Sequence, residues 1–319
     1  MKKKVLVILL LSLMLFSVQV FANGKKEVVS NKGQLRFAFL PNTQNNTFQS
    51  TMNDTFKALC EANGIDYTCL DPDYDLNTQL NQLSDAAIQK FDMVFIIPVD
   101  SNGITAGLME LKAAKVPVIN VDTSVGKDDL PLVLSVVATD CFQAGQLVGA
   151  EMVKNYPDGA NIAILDFPSN ESCIDRVNGF LDGLKVNKSK FTIVAQQDGA
   201  AALDVSIGLA EDIITANPTI DAFFCINDPS ALGAAAAVKS ANKSGQIAVY
   251  SIDASPDGKK ALVEGDFAVV AAQVPIEIAK YAFQQALDVL DGKQIKKSVY
   301  LASHLVTVEE AKKTLNDWQ

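Results

Sequence analysis

DAFFCINDPSALGAAAAVKSANKSGQIAVYSID (221–253) decides the fold. An apolar run, DAFFCI (221–226), ends on a polar residue, Asn227. A small-residue helix follows over 231–241, and a second apolar run, IAVYSI (247–252), ends on Asp253. Short strands free of interior charge, joined through a helix, predict a βαβ unit whose parallel strands are covered on both faces.

The same unit repeats in both directions. Upstream, LRFAFL (35–40), IDYTCL (65–70), DMVFII (92–97) and VPVINV (116–121) alternate with helices over about 47–63, 76–89 and 107–115. VLSVVA (133–138), ANIAIL (160–165) and FTIVAQ (191–196) then alternate with helices over about 141–155, 174–185 and 203–216. Two comparable runs predict an α/β fold of two Rossmann-like lobes with parallel sheets. The long helix over about 276–290 is expected to return to the first lobe, and the tail from Val299 to cross once more. Three crossings would form a hinge, with a ligand cleft between the lobes. The expected division is 35–139 plus 274–302 for the N-terminal lobe, and 140–273 plus 303–319 for the C-terminal lobe. In open α/β sheets ligands bind along the carboxyl ends of the strands. Asp122 after VPVINV, Asn227, Asp253 and Gln273 after FAVVAA therefore converge on one polar pocket.

The N-terminus predicts the compartment. Lys2, Lys3 and Lys4 precede the apolar core VLVILLLSLMLF (5–16), and Val20-Phe21-Ala22 offers a cleavage point before Asn23. This is the three-part form of a cleaved signal peptide over 1–22, too short for a comfortable membrane span and followed by a polar linker over 23–34, with an uncleaved N-terminal anchor as the alternative. An extracytoplasmic, periplasmic location is expected. Cleavage takes three lysines from a net charge of −10, leaving −13. A surface this acidic repels phosphate backbones, so nucleic acid is not an expected partner. The five cysteines have no metal-ligand spacing. Cys60 and Cys69 could form a bridge in an oxidising compartment or remain free thiols.

Enzyme chemistry finds little support. The single histidine, His304, lies away from the strand-end loops, and no GxSxG elbow is present. The loop after the first strand, PNTQNNTFQ, has neither the glycines nor the lysine of a phosphate cradle. Its amides suit uncharged polyhydroxylated ligands. Asp122 and Asp253 as a catalytic pair would need a fixed separation that residues from different lobes do not guarantee, so binding carboxylates are the reading adopted. No catalytic residue, metal or cofactor is expected. Arg176 is one of only two arginines against 25 lysines, which suggests a placed five-donor fork. The alternative is a surface ion pair with Asp175 or Glu171. Phe48 could stack on a ligand ring or act as a hydrophobic staple for its helix.

QNNTF (44–48), VINVDT (118–123), DRVNGF (175–180), INDPSALGAAAA (226–237), SIDASPDG (251–258) and AAQVP (271–275), in this order, resemble the periplasmic sugar-binding proteins of the ribose/galactose-binding type. The resemblance implies an extracytoplasmic solute-binding protein, not an enzyme. It would act as a monomer that captures a small polyhydroxylated ligand for the permease of an ABC importer. Presentation of the ligand to a chemoreceptor or sensor kinase is the alternative. It also implies ligand contacts from Asn46, Phe48, Asp122, Arg176, Asn227, Asp253 and Gln273, with Asn42, Gln49 and Thr123 beside them. Three departures stand out. Thr123 occupies the place of a ribose-type arginine, Gln49 stands where a second phenylalanine follows the first in the ribose-type loop, and no aromatic falls in 200–203, where the second-lobe stacking ring belongs. Phe48 on one ligand face and small or polar side chains on the other would favour a pentose or a polyol. Phe142 or Phe167 could instead replace the missing ring.

Overall fold

The computed structural model describes residues 33–318. The expected signal peptide and the linker as far as residue 32 lie outside the described residues. From Leu35 onward the chain forms one compact unit built on two sheets.

The first sheet contains β1 (Arg36–Leu40), β2 (Asp66–Cys69), β3 (Met93–Ile96), β4 (Val118–Val121), β5 (Ser135–Thr139) and β11 (Ser298–Leu301), in the order β11-β5-β4-β3-β1-β2. The second contains β6 (Ala160–Asp166), β7 (Phe191–Asp198), β8 (Ala222–Cys225), β9 (Ala248–Asp253) and β10 (Val269–Ala272), in the order β10-β9-β8-β6-β7. Every ladder within both sheets is parallel. The alternation of strand and helix predicts this, because parallel neighbours need a crossover between them.

Alternate residues of each strand feed two cores. Phe37, Phe39, Met93 and Phe95 pack on one face of the first sheet, while Ala38, Leu40, Val94 and Ile96 pack on the other. The second sheet divides in the same way, with Phe223 and Cys225 on one face and Ala222 and Phe224 on the other. Burial on both faces is the reason these strands read as continuous apolar runs.

The chain crosses between the sheets three times. After β5 it enters α4 (Cys141–Asn155), which packs on α5 (Glu171–Gly183) beside the second sheet. After β10 it enters α9 (Pro275–Leu290), which returns to pack on α1 (Thr47–Ala62) of the first lobe. After β11 it crosses back, where Leu305 bridges Ala271 and Ser303 Oγ donates to the Ala272 carbonyl at 2.8 Å.

The α4–α5 pair is unusually close. A Cβ on Gly145 would lie 2.1 Å from the Arg176 carbonyl oxygen, and one on Gly179 would lie 2.0 Å from the Phe142 carbonyl oxygen. Gly149 and Gly183, one turn further on, meet the facing helix in the same manner. Only glycine allows two backbones this near, and the contact fixes the helix that carries Arg176.

Cys60 and Cys69 are both free thiols, and burial pushes each up to about 12.

Candidate functional site

The strand ends create the site through local backbone geometry. Asp122, directly after β4, has φ 58°, and Asp253, the last residue of β9, has φ 141°. Side chains rarely adopt either value without compensation, and such residues concentrate where the chain must aim a group. Helix starts supply further walls. Asn46 caps α1, its Oδ1 accepting from Phe48 N at 2.9 Å, and Asn227 caps α7 (Asp228–Ser240), its Oδ1 accepting from Ser230 N at 3.0 Å.

These elements line a cavity between the lobes. All ten residues singled out in the sequence line it: Asn42, Asn46, Phe48, Gln49, Asp122 and Thr123 from the first lobe, with Arg176, Asn227, Asp253 and Gln273 from the second or its edge.

Some of these side chains are fully engaged by the protein. Gln49 accepts from Asn42 N at 2.9 Å and donates to Asn42 Oδ1, so it holds the loop after β1. Asn227 Nδ2 donates to the Ala201 carbonyl at 3.0 Å and ties down the 199–202 turn. Others keep unspent capacity. Asp122 Oδ1, Arg176 Nε and Gln273 Oε1 are buried and have no hydrogen-bond partner, although their residues are only 8%, 4% and 2% exposed. A buried polar atom without a partner costs on the order of 1–3 kcal/mol, so these three atoms retain capacity for further hydrogen bonds inside the cavity.

Arg176 is not a surface residue pairing with Asp175 or Glu171. Its Nη1 donates to the Ile226 carbonyl at 2.8 Å and lies 3.6 Å from Asp253 Oδ1. Gln273 Nε2 donates to the same Asp253 oxygen at 2.6 Å, and Asp228 N donates to Asp253 Oδ2 at 3.2 Å. Behind them Asp228 accepts from Ser251 Oγ at 2.6 Å and from Ser255 N and Oγ at 2.8 and 2.6 Å. Burial pushes both Asp228 and Asp253 above the ordinary carboxylate range. Burial also raises Asp122 to about 6, with Arg176 opposing the shift and Asp253 adding to it.

The lobes are closed on one another. Thr123 Oγ1 donates to Asn170 Oδ1 at 3.0 Å and lies 3.0 Å from Ser172 Oγ, both at the start of α5. Glu171 N donates to Ser101 Oγ at 3.2 Å. Thr123, where the resemblance expects an arginine, is therefore a point of contact between lobes.

Sequence reasoning missed several lining residues. Asn170, Ser172 and Cys173 come from the SNESC start of α5, and Ala201 occupies the segment without an aromatic. Tyr74 enters from the β2–α2 loop, α2 being Leu76–Gln89. Its only sequence signal is a ring among turn-forming acids, DPDYD. Of the two rings offered as replacements for the missing aromatic, Phe167 lines the cavity, as does Tyr74, which the sequence reading did not name. Phe142 does not; it sits 38% exposed on α4. Phe48 is buried in the first-lobe core, edge-on to Trp318 at 5.5 Å, so one ring serves both core and cavity.

The profile of the periplasmic binding protein domain matches residues 37–294. The chain belongs to the periplasmic binding protein family. Among similar proteins, the ribose import binding protein of Salmonella typhimurium is 28% identical over 260 residues, spanning 81% of this chain and 86% of its own length. A solved structure from Mycobacterium smegmatis in complex with β-D-fucofuranose has a TM-score of 0.83 at 25% identity, covering 88% of this chain and 94% of that one. The Caulobacter myo-inositol binding protein bound to myo-inositol has a TM-score of 0.82 at 26% identity, covering 90% and 97%. The two parallel-sheet lobes of this periplasmic binding protein are thus those of its family.

Proposed function

We propose that this protein is an extracytoplasmic solute-binding protein that captures a sugar, or a closely similar polyhydroxylated compound, and delivers it unchanged to an ABC importer. The observation that carries this reading is the set of unpartnered atoms in the closed cavity: acceptors on Asp122 and Gln273 and a donor on Arg176. A polyhydroxylated ring supplies both hydroxyl donors and oxygen acceptors within a few ångströms. Tyr74, Phe48 and Phe167 supply apolar surface for its C–H faces. Ligand contacts to both lobes favour the closed arrangement over an open one, which is how binding becomes a signal a permease can read. Transport, rather than sensing, is favoured by the import role in the names of relatives. The N-terminal sequence of residues 1–22 supports export.

The test is a thermal-shift screen of the purified mature chain against pentoses, hexoses and cyclic polyols, with each hit recovered and analysed afterwards. A raised melting temperature with the ligand chemically unchanged is expected. Catalytic conversion of the ligand, or no shift with any member, would overturn the proposal.

A further inference from the structure

The sugar cavity is not a sealed compartment. Asn46, Tyr74, Ala201 and Asp253 line it and also line an adjoining, roomier chamber. Both lobes contribute to the chamber. Thr47 faces it from the first lobe, and Leu203, Leu232 and Pro229 from the second. Its walls differ in chemistry from the inner site. More of its exposed wall is apolar than polar, with Asp204, Asp228, Asp253 and Asp257 also in the lining, and Leu203 stays 43% exposed although it begins α6 (Leu203–Ala216).

Tyr74 stands at the junction of the two spaces, and the loop that carries it is built with strain. Asp73 and Tyr74 are consecutive non-glycine residues with φ 50° and 62°, a conformation that costs on the order of 1–3 kcal/mol per residue unless its surroundings enforce it. Here they do. Asn45 Nδ2 donates to Asp73 Oδ1 at 2.8 Å, Asp73 N donates to Asp71 Oδ1 at 3.0 Å, and Tyr74 N donates to the Asn42 carbonyl at 2.7 Å. The loop is thereby fixed with Tyr74 as a wall common to both spaces, and Ala201 lines both beside it. The aromatic that the resemblance expects at 200–203 would occupy the ground that Ala201 and Ala202 leave free.

Resting on the sugar-binding reading, we propose that the outer chamber is a second subsite. The protein then takes glycosides, with the sugar ring in the inner cavity and an apolar or aromatic aglycone in the outer chamber against Tyr74 and Leu203. Closure of the lobes places the aglycone between Thr47 and Leu232, so it is held by both lobes as the sugar is.

The experiment is isothermal titration of the mature chain with D-ribose, L-arabinose, D-fucose and D-galactose, each beside its methyl and p-nitrophenyl glycosides. For the sugar that binds, the p-nitrophenyl glycoside is expected to bind roughly fivefold or more tightly than the methyl glycoside, the range a buried aromatic contact supplies. Leu203→Asp, at an exposed position, is expected to abolish that preference while changing free-sugar affinity less than about twofold. Binding of the free sugar with exclusion of both glycosides, equal affinity for the methyl and aryl forms, or an aryl preference that survives Leu203→Asp would overturn the subsite and leave the sugar reading standing. Binding of none of these compounds would overturn both.

Discussion

Asp122→Asn separates a residue kept for its ligand from one kept for the fold, because the two roles predict opposite signs. Asp122 is buried, its Oδ1 has no partner, and burial pushes its carboxyl up to about 6. A group shifted about two units upward makes the folded state costlier to ionise by about 3 kcal/mol at pH 7. Asparagine removes that charge but leaves an amide incompletely bonded, which returns about 1 kcal/mol. It also tolerates the left-handed backbone at this position better than most residues. A net stabilisation of the ligand-free protein of about 1–2 kcal/mol is expected, or a melting temperature raised by roughly 2–8 °C. The gain should be complete above pH 6 and fade as the pH falls towards 4, where the aspartate is protonated in folded and unfolded chains alike. Ligand affinity should fall tenfold or more, since the cavity loses its charged acceptor. Calorimetric melting across pH 4–8, paired with titration of the best sugar from the screen, reads both effects. A variant that is less stable yet binds normally would refute the reasoning and make Asp122 a structural residue.

Three further outcomes follow from the geometry. Thr123→Val removes the hydroxyl that joins Asn170 and Ser172 across the lobes, so ligand dissociation measured by stopped flow should accelerate roughly fivefold or more with little change in melting temperature. Gly179→Ala drives a methyl into the Phe142 carbonyl, where both partners are helix backbone; a loss of more than about 2 kcal/mol in denaturant titration is expected, with weakened binding because the helix bearing Arg176 must shift. Sugar affinity should decline below pH about 6, by up to tenfold per unit, as a proton competes with ligand hydroxyls for Asp122. The groups that face this carboxyl (Arg176, Asp253 and Thr123) set the midpoint, and Asp122→Asn should flatten the profile.

Much of the architecture was legible because it follows from period and spacing. Strands covered on both faces read as apolar runs, so β4, β8, β9 and β10 announce themselves, and the polar residue at the carboxyl end of each (Asp122, Asn227, Asp253 and Gln273) stands out against that background. The ten site residues share one cavity for the same reason: strand ends and helix caps are the positions that topology brings together. Other features had no one-dimensional signature. Tyr74 faces the cavity through two left-handed residues in an acidic loop, a conformation that no propensity favours. The engagement of Gln49 and Asn227 by neighbouring backbone, against the unspent capacity of Gln273, depends on partners seven to twenty-six residues away in sequence. The role of Thr123 depends on the other lobe closing over it. The glycines at 145, 149, 179 and 183 were in plain view, but only the facing helix makes their spacing meaningful.

A crystal structure of the mature chain with the tightest-binding sugar of the screen is the most direct test of the site. One sugar ring should lie between the lobes, with hydroxyls at hydrogen-bond distance from Asp122 Oδ1 and Gln273 Oε1, an oxygen on Arg176 Nε, and Thr123 still joined to Asn170. A sugar bound anywhere else, or one seated in the cavity with those three atoms still unpartnered, would contradict it.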